Sequence, residues 1–404
     1  MKKVGKKMFS TINLDAAGAD VEHQNENVIM PFQIPASPFC IYGAGIVAVG
    51  IYTAMKSLYR KTPLFFLVSD PAEGKQDENP PEIDGIPVKR LSDWRQELRT
   101  QDFPLYYLVA APETHHAAIT ASLHTLQIED SRIVLFTGEL ENRFLEAYYG
   151  SRPDCRTVER LLEDGGKRAQ APGIYPEVFQ AKCHVDRPLQ NPVQAPLYVV
   201  PIQVGAALTE QIVSGLRDDT GENISCKNRN YCELTAAYYA WKNSDAAYKG
   251  LCHYRRIFDI TDEQMRSLLK IPEEWDVILP YPSVHYPNIS AQHLRYIKEA
   301  DWKAMLRALE ETAPDYDRAY RQMVENGEQH FFNFNMLIAK AEVFDDYCDF
   351  LFSVLSRAEE LTTPEGRERA DRFAGYMGEN LTTLYFQKNK DKLKIVYAGK
   401  RWLT

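Results

Sequence analysis

Pro38-Phe39-Cys40-Ile41-Tyr42-Gly43-Ala44-Gly45-Ile46-Val47-Ala48-Val49-Gly50 is the stretch on which the fold of the first third of the chain turns. Phe39 to Tyr42 reads as a short apolar strand, and a helical run through Leu58 follows the glycines. The spacing is G-x-G-x-x-A, with Ala48 in the third place, a permitted form of the dinucleotide-binding turn. Glycines let a backbone approach a diphosphate, and the helix start offers free N–H groups to its charge. Further apolar runs follow at Leu64 to Val68, Leu105 to Ala110 and Arg132 to Phe136, separated by helical stretches. Strand alternating with helix predicts a small parallel α/β sheet over residues 38–150.

The run at 64–68 ends at Ser69-Asp70, where an acidic residue could bind a ribose hydroxyl. Gly43, Gly45 and Asp70 are therefore the candidate nucleotide-binding residues of this domain. A tight turn with no ligand is the alternative. Two histidines, His115 and His116, read as helix-start or surface residues. The segment resembles the small Rossmann-like domain that precedes sugar-modifying enzymes, including the sugar O- and N-acyltransferases. There too Tyr-Gly-Ala-Gly is followed by a phrase like Asp84-Gly85-Ile86-Pro87-Val88.

The 404 residues suit two domains, and 45% hydrophobic with 25% charged residues is the composition of a folded chain. A net charge of −9 argues against a nucleic-acid partner, which needs a basic face. It leaves room for a phosphorylated small ligand, which needs only a few local cations. No apolar run approaches the roughly 20 residues of a membrane span. Residues 1–37 read as a disordered polar tail without a secretion signal. The seven cysteines show no C-x-x-C spacing and are expected to be free thiols. The expected location is the cytoplasm, with peripheral association at the inner face of the membrane left open.

Residues 151–174, rich in charge, Gly and Pro, read as a linker or connecting helix, and the second domain spans 175–404. The polar loop 218–228 has the composition of a ligand-binding loop, or of an Asx-type turn bonded to its own backbone. The helix after it has Asn230 as an expected cap and Leu234, Ala237, Tyr238 and Trp241 as its buried stripe. Glu233 then reads either as part of that cap or as a site residue. A strand from Tyr248 runs into His253-Tyr254-Arg255-Arg256. A period of two places His253 and Arg255 on one face. Buried without partners these charges are costly, so they should meet a carboxylate or an anionic ligand. Two guanidinium groups can grip a diphosphate; an ion pair with Asp218, Asp219 or Asp259 is the alternative.

Several words stand in order: Val200-Pro201-Ile202-Gln203-Val204-Gly205-Ala206, Asp218-Asp219-Thr220-Gly221-Glu222-Asn223-Ile224-Ser225, Lys227-Asn228 and Asn230-Tyr231-Cys232-Glu233-Leu234-Thr235-Ala236. Trp241-Lys242-Asn243, Gly250-Leu251-Cys252-His253-Tyr254-Arg255-Arg256 and Phe334-Asn335-Met336-Leu337-Ile338 follow. Together they resemble a family of bacterial capsular and exopolysaccharide glycosyltransferases long catalogued as a domain of unknown function. The resemblance covers about residues 175–404. It implies a GT-A-like α/β domain that moves a sugar from a nucleoside-diphosphate donor to a growing glycan. The donor it suggests is UDP-linked, with UDP-galactofuranose one candidate, and the acceptor a lipid-linked glycan. Where that fold usually carries a metal-binding Asp-x-Asp, this chain has His253-Tyr254-Arg255, which leaves a divalent metal uncertain.

The expected donor-binding residues are His184, Asp219, Asn223, Lys227, Asn228, Glu233, Arg255 and Arg256. His253 and Glu379 are the catalytic candidates, Glu379 as base or as a salt-bridge partner of Arg369 or Arg372. His293, Asn333 and Asn335 are candidates for the acceptor or the sugar. Two other classes remain: a non-catalytic sugar-nucleotide-binding assembly or regulatory protein, and an NAD-dependent nucleotide-sugar oxidoreductase. Because every transferase-like word lies beyond residue 175, removal of residues 1–150 is expected to leave a folded, partly active remainder.

Overall fold

The computed structural model describes residues 37–72, 79–98, 103–164, 175–189, 194–291, 296–362, 369 and 371–403. Residues 1–36 of the expected tail, residues 165–174 of the expected linker and His293 lie outside them.

The chain is α/β and builds two sheets. The first holds β1 (Phe39–Tyr42), β2 (Phe66–Val68), β3 (Glu82–Ile83), β4 (Ile86–Arg90), β5 (Tyr106–Val109) and β6 (Ile133–Leu135), in the order β3-β4-β2-β1-β5-β6. All pairings are parallel except the β3–β4 hairpin. Its turn is Asp84-Gly85, both at positive φ (56° and 77°), the backbone a two-residue hairpin requires. Asp84 also accepts bonds from Tyr52 Oη and Lys56 Nζ, each at 2.6 Å. The helices are α1 (Ile46–Tyr59), α2 (Leu91–Glu97), α3 (His116–His124) and α4 (Gly138–Gly150). Ala48, Ile51, Tyr52 and Met55 of α1 recur at helical spacing and are buried. Gly43 is obligatory: at φ 130° a Cβ would stand 2.4 Å from the Ala110 carbonyl oxygen.

Then come α5 (Val158–Asp164), β7 (Glu177–Lys182), β8 (Val199–Gln203), β9 (Leu216–Arg217), α6 (Asn228–Tyr231), α7 (Leu234–Asn243), β10 (Tyr248–His253) and β11 (Arg256–Phe258). They continue with α8 (Asp262–Leu268), β12 (Val277–Pro280), β13 (Ser283–Val284), α9 (Glu299–Thr312), α10 (Pro314–Glu325) and β14 (His330–Phe331). The last are β15 (Leu337–Lys340), α11 (Ala341–Thr362), α12 (Phe373–Asn389), β16 (Ile395–Ala398) and β17 (Lys400–Trp402). Among the described residues nine of these strands form one sheet along β16-β12-β15-β10-β7-β8-β9, with β11 pairing β10 and β17. β15 runs antiparallel to both neighbours, while β10, β7, β8 and β9 are mutually parallel. Helices α7, α9, α11 and α12 pack in one large core with the sheet, around Leu251, Leu337, Phe344, Leu351 and Leu381.

The two sheets do not stand apart. The core of the first includes Tyr281 and Val284 of the second half, and Tyr149 of α4 stacks on Tyr281 with ring centroids 5.4 Å apart at 4°. Tyr149 Oη donates to the Pro282 carbonyl at 3.0 Å. Thr157 bridges to Tyr397 of β16.

Two local expectations change. The chain turns at Tyr254-Arg255, so the β10 strand ends at His253 and its partner across the hairpin is Arg256. Residues directly opposite in an antiparallel pair share a face, so Arg256, not Arg255, lies beside His253. The helix start also moves: α6 stops at Tyr231, Cys232 takes φ 51°, and α7 begins only at Leu234. Glu233 holds the cap position of α7 but its side chain caps nothing. Tyr238 and Trp241 are only half-buried, because they flank Phe352 at the edge of the core.

Candidate active site

The site is built around a strained turn, Asn333-Phe334-Asn335. Phe334 and Asn335 sit at φ 74° and 49°, a conformation that persists for such residues only when the surroundings impose it. They do. The Phe334 N–H donates to Glu379 Oε1 at 2.8 Å, and His253 Nε2 donates to the Phe334 carbonyl at 2.6 Å. Asn335 Nδ2 donates to Glu233 Oε1 at 2.8 Å and to the Gly375 carbonyl at 3.2 Å. Thr382 Oγ1 donates to Asn335 Oδ1 at 3.3 Å, and Asn333 Nδ2 to Ser283 Oγ at 2.6 Å.

Glu233 is almost fully buried, and a buried carboxylate needs partners. Besides Asn335 it has His253 Nε2 at 3.6 Å and Arg372 Nη2 at 3.6 Å. Arg372, just before α12, also donates from Nε to Cys232 Sγ at 3.2 Å. Burial holds the His253 imidazole below its ordinary range, against the pull of Glu233. With Nε2 committed to Phe334, the ring braces the turn rather than offering that nitrogen to a substrate.

Arg256 lies in the corner between two rings set at 78° to one another, its guanidinium carbon 4.0 Å from the centroids of both Phe334 and Trp402. Burial draws it down to about 10, opposed by Glu379 and Glu233. The Nε atoms of Arg255 and Arg256 are buried and have no hydrogen-bond partner among the described residues. Neither arginine pairs with the aspartates that a structural ion pair would need. Asp218 accepts from the N–H groups of Gly205 and Ala206 and from Ser225 Oγ; Asp219 pairs with Arg217 at 2.6 Å, and Asp259 with Arg401 at 2.5 Å. Asp186, bonded to the Cys183 N–H at 2.7 Å, is raised by its burial, and Arg255, Arg372 and His184 oppose the rise. His184 and Arg255 thus stand at the rim of the same cluster.

Glu379 joins this cation cluster to a pocket that also takes in Tyr296, Phe331, Asn333, Tyr376 and Asn380. Burial pushes its carboxyl up to about 7; the Phe334 N–H resists, Glu233 adds to the rise, and Arg372 and Arg256 pull it back. Oε1 is taken by Phe334, while Oε2 has no hydrogen bond within the described chain. The salt bridge weighed for it goes elsewhere: Arg369 is held by Asp301 and Asp371, and Arg372 faces Glu233.

The structure therefore gathers His253, Glu379, Glu233, Arg256, Asn335 and Asn333, with His184 and Arg255 beside them. It does not gather the loop. Lys227 pairs with Glu359 at 2.7 Å, and Asn223 forms an Asx turn with Gly221 and Ser225. Asn228 braces Cys232 and Thr235. Asp70, in the first domain, accepts from Ser92 Oγ at 2.6 Å and from the Ser92 N–H at 3.3 Å. Gly45 opens α1 with no side chain near its hypothetical Cβ. Sequence reasoning missed Phe334, Arg372, Asp186 and Trp402. The first and last are apolar and carry no chemical signal; Arg372 appeared only as a partner of Glu379. Among the described residues no group of three or more His, Cys, Asp and Glu could hold a metal ion. No helix there is long and apolar enough to cross a membrane.

Residues 183–390 match the family described as a domain of unknown function (DUF4422), about half of the chain, and the protein belongs to that family. Among solved structures, the apo form of the bifunctional glycosyltransferase WbbM is similar at 24% identity with a TM-score of 0.49. That match covers 58% of this chain and 46% of the other, so the protein spans less than half of the solved chain. No curated protein matches it.

Proposed function

We propose that the protein is a glycosyltransferase that moves a sugar from a nucleoside-diphosphate donor to a hydroxyl of a surface-polysaccharide acceptor. Glu379 carries the reading. It is a carboxyl raised to about 7, with one oxygen fixed by Phe334 and the other unbonded, set between guanidinium groups and a pocket. A general base works best when its pKa lies near the working pH. Arg256, Arg255 and Arg372 supply the charge that a leaving diphosphate needs, and guanidinium forks suit phosphate oxygens.

In the step we assign, an acceptor hydroxyl in the pocket gives its proton to Glu379 Oε2. Its oxygen bonds to the anomeric carbon as the bond from that carbon to the diphosphate oxygen breaks. The diphosphate leaves with the bonding electrons and is neutralised by the arginines. Direct displacement of this kind inverts the anomeric centre. The side-chain amides of Asn333 and Asn380 and the rings of Tyr296 and Tyr376 suit the polar edge and apolar face of a sugar. A UDP-linked donor, with UDP-galactofuranose among the candidates, and a lipid-linked glycan acceptor remain proposals from the family resemblance. So does work at the inner face of the membrane.

A panel of nucleoside-diphosphate sugars, titrated calorimetrically and then assayed for transfer or donor hydrolysis, tests the reading. Saturable binding of one donor with turnover is expected. A folded protein that binds none of them removes the proposal, and binding without turnover would make it a sugar-nucleotide-binding protein instead.

A further inference from the structure

The strand β17 belongs to the second sheet, yet a helix of the first domain holds it. Asn142 on α4 brackets Lys400: its Nδ2 donates to the Lys400 carbonyl at 2.5 Å, and its Oδ1 accepts from the Lys400 N–H at 3.2 Å. At the start of the same helix Gly138 lies so close to Trp402 that a Cβ there would be 3.0 Å from the indole Cδ1. Glu113 of the first domain fixes that helix start by accepting from the Gly138 N–H. Glu141 faces the buried Lys400 ammonium, which in turn lies near Arg256. Two residues on, the Trp402 ring lies against the Arg256 guanidinium, and the Phe334 ring, set at 78° to it, lies against the guanidinium from another side.

The Arg256 Nε makes no hydrogen bond within the described chain. The guanidinium is therefore held in the corner between the two rings. One of those rings is carried by a strand whose backbone is clamped by Asn142. We propose that α4 of the first domain is a positioning element of the arginine site: it fixes β17 so that Trp402 holds the Arg256 guanidinium against Phe334, in place for a bound diphosphate. This rests on the reading of the arginines as a diphosphate cradle. It gives the first domain a task in the transfer that needs no ligand of its own. Preorganised charge is worth more than charge that must be collected on binding, so a loosened Trp402 should weaken diphosphate binding without removing any contact to it.

The test uses the full chain, with uridine diphosphate and inorganic pyrophosphate as probes in calorimetry, and thermal unfolding alongside. Asn142→Ala and Trp402→Ala should each raise Kd about tenfold, equivalent to about 1.4 kcal/mol. Trp402→Phe keeps a ring over Arg256 and should bind within about twofold of the parent. Asp84→Asn serves as the control. It weakens the Tyr52 and Lys56 contacts of the same domain at a position whose positive φ asparagine tolerates. It should lower Tm and leave Kd unchanged. Parent-like affinity in Asn142→Ala overturns the proposal, and so does an equal loss in Asp84→Asn, which would mark the effect as general destabilisation. If the parent protein itself binds neither probe, the diphosphate reading fails first and takes this inference with it.

Discussion

A single carboxyl sets the pH behaviour to be expected. Glu379 in the folded chain holds its proton up to about 7, against 4.5 for a free glutamate. Protonated, it cannot accept the acceptor's proton, so transfer should rise with pH through about 7 and then level. The linkage runs the other way for stability. Because the folded state binds this proton more tightly, its contribution is full below 4.5 and is lost as pH rises through about 7. Glu379→Gln should abolish the rate inflection and flatten that part of the stability curve; a rate profile unchanged in the variant would exclude Glu379 as the base. At Arg256, replacement by Ala should weaken donor binding or rate by about 2 kcal/mol or more, roughly 30-fold. Arg256→Lys keeps the charge but not the guanidinium that packs on Phe334 and Trp402, so it should recover only part of the loss. Since guanidinium groups supply the cations of the proposed step, activity in excess chelator should match the untreated rate. Loss on chelation with recovery on added manganese would show that a metal shares the task.

At the scale of elements, the strand-and-helix alternation was legible at β1, β2, β5 and β6 because parallel strands are continuous apolar runs, while the short, polar-containing β3–β4 hairpin was not. Gly43 was legible as a glycine position, and its reason turned out to be the Ala110 carbonyl behind it. Gly43→Ala should therefore destabilise the fold by at least about 2 kcal/mol, visible as a fall of several degrees in Tm. Gly45→Ala, whose Cβ meets nothing within 4 Å, should unfold near the parent temperature. The hairpin at Tyr254-Arg255 was not legible. Periodicity assumes an unbroken strand, and nothing in His-Tyr-Arg-Arg announces a turn in the way Asp84-Gly85 does. The same holds for Glu233. Its distance from Asn230 suggested a cap, but a backbone reversal at Cys232 swings it into the site. The charged members of the site could be picked from sequence because charge in an apolar context demands a partner. Phe334 and Trp402 could not, since their part depends on what lies across the fold.

For the whole molecule, the expectation of a self-sufficient C-terminal domain meets a shared core. Tyr281 and Val284 are buried among residues of the first sheet, and β17 leans on α4. Removing residues 1–150 should bare these apolar groups and give an insoluble or molten product rather than a partly active one. Soluble expression and circular dichroism of the truncated chain decide this; a folded, soluble remainder would return the first domain to an accessory part. The same contacts bear on motion. Two domains joined by a polar seam would open and close about a hinge to admit a donor. Here the Tyr149–Tyr281 stack and the Asn142–Lys400 bracket tie the halves at two separate places, and the Thr157–Tyr397 bridge ties the connecting segment to the second sheet. A ligand must then enter and leave through local excursions of loops and side chains at the mouth of the pocket, where Tyr296 is half-exposed, while the overall outline of the particle stays as it was.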